Sequence, residues 1–425
     1  MPAPFSAKKG LATRESLTPP HEEEEEPYSR SHVSQASVWK SVLAGFLAAF
    51  PTVLLLFLFK SFSMSKLFSA ALAMLVMTRS TSSWRVDTHH HVLPPMYLEA
   101  MEANGGEPTG YPMPSWSLEQ SLSSMNKVGT SISILSLSVP GVAIAGTGME
   151  ARTLARDVND YFGNATTESN VSERLGFFGA LPDWRDVNGT LAEIDYLYEA
   201  QQLAHGVSAS TSYGGQLLSH DDFAPIWQRL NDYHALVFLH PTSLPGEPGS
   251  IAGALPDPIV DFPLATTRAA VDLVLSGRFG QVPDVDVILS HAGGTLPYIG
   301  TRVIGSLAIP EVRSKVQVDI LQAAAGFKRF YHDLALSSTP AQLNGLLDFT
   351  EPDKILFGSD FPYAAQYAID ALVLQYEAFV RSSPRGYKLT NDVLRRNALR
   401  LLQKHQQGKK FEERTAFEVV NGLVS

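Results

Sequence analysis

Short apolar runs alternate along the chain with longer segments in which apolar residues recur every three or four positions. The short runs predict strands, and the three- and four-residue spacing predicts helices with one buried face. The predicted strands cover residues 85–88, 131–138, 176–181, 206–212, 235–239, 285–290, 330–336 and 354–358. The predicted helices cover residues 118–128, 150–162, 187–203, 223–233, 266–275, 340–349 and 367–380.

This alternation predicts the fold class. Strands that are apolar on both faces and separated by helices are typical of a parallel sheet covered by helices, which is an α/β fold. Eight such units between residues 84 and 405 favour a closed (β/α)₈ barrel, or TIM barrel, over an open doubly wound sheet. No GxGxxG turn follows the first predicted strand, which disfavours a dinucleotide-binding fold. Residues 406–425 are predicted to form a C-terminal extension.

The first 83 residues do not follow this pattern. Residues 1–37 are polar, with an acidic run at 22–26, and are predicted to form a disordered tail. Residues 38–83 are predicted to be a hydrophobic membrane anchor or signal segment. Within them, residues 41–59 carry no charge and would form a helix roughly 28 Å long, close to the ~30 Å hydrocarbon core. A buried helix of a soluble domain is the alternative interpretation.

The predicted localisation is a single-pass membrane protein, with an endomembrane or secretory route as one option. A second apolar run, at 67–77, follows Met64 and resembles a secretory signal, so Met64 could instead be the true start. Basic residues flank the span on both sides, and sequons at Asn164, Asn170 and Asn188 would accept glycans only in the lumen. The side of the membrane that the barrel faces stays open.

Charge and cysteine content narrow the function classes. The chain has 33 Lys and Arg against 43 Asp and Glu, a formal net charge of −10, and no basic block. A nucleic-acid-binding protein needs positive charge against the phosphate backbone, so this class is disfavoured. The absence of cysteine excludes disulfides, thiolate zinc sites and cysteine nucleophiles. A metal would therefore need histidine and carboxylate ligands.

Histidine and aspartate residues follow the ends of four predicted strands. In (β/α)₈ barrels the chemistry lies at the carboxyl ends of the strands, where such residues converge if the barrel closes. His89 and His91 are two residues apart on the first strand and share one face, whereas His90 faces the other way. The other strand-end residues are His240, His291 and Asp360.

A metal site with the ligands His89, His91, His240 and Asp360 is predicted. Three imidazoles and a carboxylate, without sulfur, suit Zn²⁺ with an open coordination position, and Mn²⁺ also accepts this set. An isolated HxH pair is more often structural. The agreement of several strand ends nevertheless favours a metal site here.

The motifs around these residues resemble those of the decarboxylase branch of the amidohydrolase superfamily. This branch includes aminocarboxymuconate semialdehyde decarboxylase, γ-resorcylate decarboxylase and the fungal 6-methylsalicylate decarboxylases, which the chain resembles in particular. The matching motifs are DTHHHVLP at 87–94, FLHP at 238–241, SHAGGTLP at 290–297 and ILFGSDFP at 355–362. The superfamily's binuclear centre needs a strand-end lysine, and no predicted strand offers one, which agrees with a mononuclear site.

The resemblance implies a metal-dependent, non-oxidative decarboxylation of a 2-hydroxybenzoate without an organic cofactor. It further implies 6-methylsalicylate as the substrate, 3-methylphenol and CO₂ as the products, and a place in a polyketide pathway. Carried onto this sequence, Asp360 is the proton donor, and His291 orients or shuttles the proton. The resemblance also suggests a homodimer.

Four further residues are candidate substrate contacts: Arg268, Phe177, Trp116 and Tyr213. Arg268 could pair with a substrate carboxylate or make a structural ion pair. Phe177 could form a wall of the pocket with Phe178, although a Phe pair on a strand is more often core. Asp87 and Asp333 are expected to support the ligands, since carboxylates often orient metal-binding histidines.

Two other functions are compatible with the same residues. A hydrolase of a lactone or amide would use metal-bound hydroxide on the same scaffold, and the ligand set alone does not separate the two reactions. A membrane-tethered binding protein without catalysis is the third hypothesis. The family resemblance favours the decarboxylase, but fold and family are an analogy and do not by themselves establish function.

Overall fold

Parallel strands form the centre of the protein in the computed structural model, which describes residues 85–168, 171–244, 246 and 251–405. The strands are β1 (Arg85–Val92), β2 (Thr130–Leu137), β3 (Leu175–Phe177), β4 (Val207–Ser210), β5 (Ser212–Tyr213), β6 (Gln216–Leu217), β7 (Leu236–His240), β8 (Asp286–Leu289), β9 (Tyr331–Asp333) and β10 (Ile355–Leu356). One parallel sheet has the order β1-β2-β3 and a second has the order β10-β9-β8-β7-β4. β5 and β6 form an antiparallel hairpin.

Short bridges connect the edges of the two parallel sheets. Gly179, just after β3, pairs in parallel with Val207 of β4, and Asp87 of β1 pairs in parallel with Phe357, just after β10. The order of strands therefore leads from β1 around to β10 and back to β1. The prediction of a parallel α/β fold is confirmed, and the connectivity is consistent with a TIM barrel.

Helices cover the outside of the parallel strands. The α-helices are Pro95–Ala103, Leu118–Val128, Met149–Thr167, Val187–Asp195, Ala224–Asp232, Asp261–Leu275, Arg278–Gln281, Leu296–Ser306, Pro310–Arg313, Ile320–Lys328, Pro340–Phe349, Gln366–Ser382 and Asn391–Lys404. The predicted helices 118–128 and 340–349 are confirmed with their bounds. The predicted helix 187–203 instead ends at Asp195 and continues as a π-helix, Tyr196–Gln201.

Several elements differ from the sequence prediction for identifiable reasons. The predicted strand 330–336 ends at Asp333, and Leu336 takes a left-handed backbone with φ 53° that a strand cannot contain. The helix Leu296–Ser306 was not predicted, because glycines at 300 and 305 lower helix propensity. Gly300 is needed for packing, since a Cβ there would lie 2.4 Å from Cε2 of Phe349.

The predicted terminal segments lie outside the described residues. These segments are the acidic tail, the anchor or signal segment with its span at 41–59, and the extension at 406–425. Within the described ranges, no helix combines the length and the apolar character needed to cross a bilayer. Of the three sequons, Asn164 and Asn188 are exposed, and Asn170 is not among the described residues.

Asp286 joins the start of β8 to the end of the last helix. Its Oδ2 accepts hydrogen bonds from Lys404 Nζ at 2.6 Å and from His405 Nε2 at 2.7 Å. Burial alone would raise the pKa of Asp286, but the bonds from His405 and Lys404 lower it to about 2, from an ordinary 3.8. A folded-state pKa below the unfolded value means that the carboxylate stabilises the fold above about pH 4.

We expect Asp286→Asn to lower the free energy of unfolding by about 2 kcal/mol at pH 7, the equivalent of the pKa shift. The difference from the unsubstituted protein should shrink as the pH falls from about 4 to about 2, because both proteins are then neutral at this position. Urea denaturation across this range measures it. Asp284→Asn, at a half-exposed carboxylate nearby, is the control. A difference independent of pH would contradict the assignment.

Candidate metal centre

Four side chains converge at the carboxyl ends of the strands. His89 and His91 come from β1, His240 is the last residue of β7, and Asp360 follows β10. Each offers one ligand atom, and these atoms all lie within 4.8 Å of one another. The Nε2 atoms of His89 and His91 are 3.0 Å apart, and each lies 3.3 Å from Asp360 Oδ1.

A bulge in β1 determines which side chains face this cluster. Asp87 pairs with Ser133 and His90 with Leu135, so three steps along β1 correspond to two steps along β2. The extra residue reverses the alternation, and Asp87 and His90 therefore face the same side, away from the cluster. His91 pairs with Ser136 and faces the cluster.

The outer nitrogens of the three histidines are all held by hydrogen bonds. His89 Nδ1 lies 3.0 Å from Asp333 Oδ2, His91 Nδ1 lies 3.1 Å from Ser136 Oγ, and His240 Nδ1 lies 2.9 Å from the carbonyl of Pro241.

A carboxylate and a carbonyl accept only, so Nδ1 of His89 and Nδ1 of His240 must donate. In the neutral form of each ring, the Nε2 atom then carries a lone pair that points into the cluster. Lone pairs gathered beside a carboxylate repel one another unless a cation lies between them. The residues therefore fit a divalent metal ion.

The charges of the site agree with this fit. Burial lowers the pKa of His89, but Asp333 and Asp360 outweigh it and raise it to about 10. Burial and the neighbouring imidazoles hold the pKa of His240 well below its ordinary value. Burial also acts to raise the pKa of Asp360, yet His89 and His291 hold it well below its usual range. Asp360 is thus ionised and His240 neutral, as metal ligands must be, and an ion would displace the proton of His89.

His291 lies beside Asp360 in a tight turn after β8. Its Nε2 is 3.6 Å from Asp360 Oδ2, and its backbone N–H donates to Asp333 Oδ1 at 3.1 Å. His291 and Asp360 both have left-handed backbones, with φ of 54° and 62°. Such conformations are uncommon for residues other than glycine and often mark functional sites.

A small cavity lies against His240. Its volume is about 30 Å³, enough for a ring substituent or about two waters. Ser138, Ala180 and Tyr213 are among its lining residues. The Tyr213 hydroxyl accepts a hydrogen bond from the Ser210 backbone N–H at 2.9 Å, so the ring is fixed in place.

Two predicted substrate contacts do not lie at the cluster. Phe177 is fully buried and packs against Phe162 of a surrounding helix, since strand alternation turns it outward. Its neighbour Phe178 faces inward instead and stacks on Phe238, whose ring contacts His89.

Arg268 also lies elsewhere. It is exposed and lines an outer groove, because it stands on the face of the helix Asp261–Leu275 opposite the buried one. No residue of the four-ligand cluster lines this groove. The predicted contact of Arg268 with a substrate is therefore not made at the four-ligand cluster within this chain.

Other supporting residues follow from the fold. Trp116 is partly buried, and its indole N–H donates to Ser121 Oγ at 2.8 Å. Asp333 holds His89 as expected. Ser136 and Ser121 were not predicted, because a serine on a strand or helix carries no signal of its partner across the fold.

Three histidines and an aspartate gather at the strand ends of this parallel α/β fold. This arrangement places the protein in the class of α/β proteins with a metal site. The family model described as Amidohydrolase matches residues 86–404, and the chain belongs to this family. The predicted membership of its superfamily is thereby confirmed.

Several named relatives that the chain resembles are decarboxylases. The decarboxylase yanB of Aspergillus niger is 38% identical over 332 residues, covering 76% of this chain and 88% of that protein. The 6-methylsalicylic acid decarboxylase acuB of Aspergillus aculeatus is 38% identical over 322 residues, covering 75% of this chain and 95% of that protein. The similarity to the decarboxylase branch, predicted from the motifs, is confirmed.

A solved structure supports the fold. It is 5-carboxyvanillate decarboxylase from Novosphingobium aromaticivorans, complexed with manganese and 4-hydroxy-3-methoxy-5-nitrobenzoic acid. The TM-score is 0.64 at 18% identity, covering 75% of this chain and 96% of that one. At this identity the likeness shows the fold alone.

Proposed function

We propose that the protein is a carboxy-lyase that removes CO₂ without oxidation from a 2-hydroxybenzoate. The proposed substrate is 6-methylsalicylate and the products are 3-methylphenol and CO₂, in a polyketide pathway. The observation that carries the proposal is the gathering of His89, His91, His240 and Asp360, with His291 beside them, in a chain 38% identical to a 6-methylsalicylic acid decarboxylase.

The four gathered side chains would hold one divalent ion, Zn²⁺ or alternatively Mn²⁺. The ion would orient the phenolate and carboxylate oxygens of the substrate and stabilise their charge. The cavity against His240 has room for the ring methyl group. No organic cofactor is needed.

Asp360 and His291 would move the proton. Because His291 Nε2 lies 3.6 Å from Asp360 Oδ2, the imidazole can pass a proton to this oxygen. Asp360 then gives the proton to the ring carbon that carries the carboxyl group. The bond to the carboxyl carbon breaks, its electrons restore the aromatic ring, and CO₂ leaves.

The wider organisation remains part of the proposal. Residues 84–405 would form the catalytic (β/α)₈ barrel, and residues 41–59 would anchor it to a membrane. A homodimer, suggested by the family, also remains a prediction.

Anaerobic incubation of the purified full-length chain with 6-methylsalicylate tests the function. We expect equal amounts of 3-methylphenol and CO₂ to form, and a chelator to stop the reaction, because the ion is needed to orient the substrate. Chromatography measures the loss of the acid and the gain of the phenol, and headspace analysis measures the CO₂. Failure of the metal-loaded protein to convert any 2-hydroxybenzoate, with hydrolysis of aryl lactones instead, would overturn the proposal in favour of a hydrolase.

A further inference from the structure

A chain of hydrogen bonds through four buried or partly buried side chains runs from a surface segment to the metal ligands. Trp116 Nε1 lies 2.8 Å from Ser121 Oγ, and Ser121 Oγ lies 3.0 Å from His90 Nε2. His90 Nδ1 lies 3.1 Å from Asp87 Oδ2. None of the four is a proposed metal ligand or is assigned a role in proton transfer.

Donor chemistry fixes the direction of the chain. An indole N–H can only donate, so Ser121 accepts from Trp116 and has its own proton to give to His90 Nε2. His90 then carries its proton on Nδ1 and donates it to the carboxylate of Asp87. Every bond therefore points toward Asp87, and such aligned bonds polarise one another.

Asp87 connects this chain to two parts of the metal centre. Its Oδ1 accepts from the backbone N–H of His89 at 3.1 Å and from that of Ser359 at 3.0 Å. Its Oδ2 also accepts from the Ser359 hydroxyl at 2.6 Å. Ser359 immediately precedes Asp360, so one carboxylate holds the backbone beside two of the ligands.

The bulge in β1 makes this connection possible. Without the extra residue, Asp87 and His90 would face opposite sides of the strand. With it, both face the helix Leu118–Val128, which carries Ser121. The His90 ring also stacks on Phe361 at 5.0 Å between centroids, and His90 is only 1% exposed.

The Asp–His–Ser order resembles a nucleophilic triad, but the surroundings exclude that role. Ser121 is fully buried, so no substrate can reach its oxygen. The same oxygen accepts the indole N–H of Trp116, which a nucleophile would have to release. The bonds therefore serve to position groups.

We propose that His90 is a positioning residue that, with Ser121 and Trp116, fixes Asp87 and thereby the ligands His89 and Asp360. The inference rests on the proposed function only for the effect on turnover. The expected effect of His90 on metal binding does not depend on the identity of the substrate.

His90→Phe is the main test, because it keeps the ring on Phe361 and removes both hydrogen bonds. We expect the metal Kd, measured by Zn²⁺ competition with a chelator, to rise about 10- to 100-fold, and kcat to fall by a similar factor with KM little changed. We also expect the visible absorption of the Co²⁺-loaded protein to change, because the ligands shift.

Ser121→Ala is the second variant, and it keeps the helix intact. We expect a change in metal Kd of the same sign and smaller size. The double variant should cost no more than His90→Phe alone, since both residues act through one chain. Ser124 is buried in the same helix but takes no part in this chain of hydrogen bonds. Ser124→Ala is therefore the control and should match the unsubstituted protein.

Unchanged metal Kd and an unchanged Co²⁺ spectrum in both variants would overturn the inference, even if thermal stability fell, because a merely structural role affects stability alone. If the unsubstituted protein turns over no hydroxybenzoate but His90→Phe still weakens metal binding, the proposed function fails and the inference stands.

Discussion

Asp360→Asn is expected to lower kcat by at least about a thousandfold, within the range for removal of a general acid. The amide cannot carry the proton that the carboxylate would pass from His291 Nε2, 3.6 Å away, to the ring. The substitution also removes a negative charge. The surrounding imidazoles stabilise this charge, since they keep the pKa of Asp360 well below its usual range although burial opposes them. The amide oxygen can still contact an ion, so substrate binding should be largely kept.

Single-turnover assays with 6-methylsalicylate measure the loss of turnover, and calorimetry of substrate binding measures what remains. Asp348→Asn, at an exposed carboxylate paired with Arg385, is the matched control and should keep full activity. An Asp360→Asn protein with normal turnover would remove this residue from the role of proton donor. Loss of substrate binding together with turnover would make Asp360 chiefly a ligand.

His240→Ala is expected to lose the metal and, with it, turnover. His240 is the only ligand from β7, and its Nδ1 is held by the carbonyl of Pro241 so that Nε2 faces the cluster. Its removal leaves three ligands, all from β1 and the neighbouring segment after β10. We expect the metal Kd to rise by more than about 100-fold, beyond the effect of removing a residue that only supports a ligand.

Elemental analysis of the purified variant and thermal melts with and without added Zn²⁺ measure this effect. Added metal should raise the Tm of the unsubstituted protein but not that of the variant, since only a protein that binds the ion is stabilised by it. His220→Ala, at a partly exposed histidine away from the cluster, is the control. A fully metal-loaded and active His240→Ala protein would favour a different ligand set. If the unsubstituted protein holds no metal and His240→Ala changes none of its properties, the result would favour a non-catalytic binding protein.

Most of the candidate site could be predicted because its residues follow strand ends. The period of two placed His89 and His91 on one face, and the motif order pointed to His240, His291 and Asp360. For Phe177 the sequence left a pocket wall and the core as alternatives. Its packing against Phe162 places it in the core.

The hydrogen-bond partners of His90 and His91 could not be predicted for a different reason. His90 was recognised as facing away, but its bonds to Asp87 and Ser121 depend on a bulge that appears only when β1 is paired with β2. Ser136 reaches His91 across the same pair of strands. The contacts with Ser121 and Ser136 join residues 31 and 45 positions apart, and the His90–Asp87 contact needs the bulge, so no local pattern encodes them.

The sequence by itself determined the parallel α/β fold, the superfamily and the residues that reach the strand ends, because periodicity and motifs are local. The tertiary structure alone decided that these ends meet within 4.8 Å, that Arg268 lies on the outer surface, and that Asp87 holds two ligand segments. The physical reason is strand pairing: register and bulges, set by the packing of the whole sheet, determine which side chains share a face.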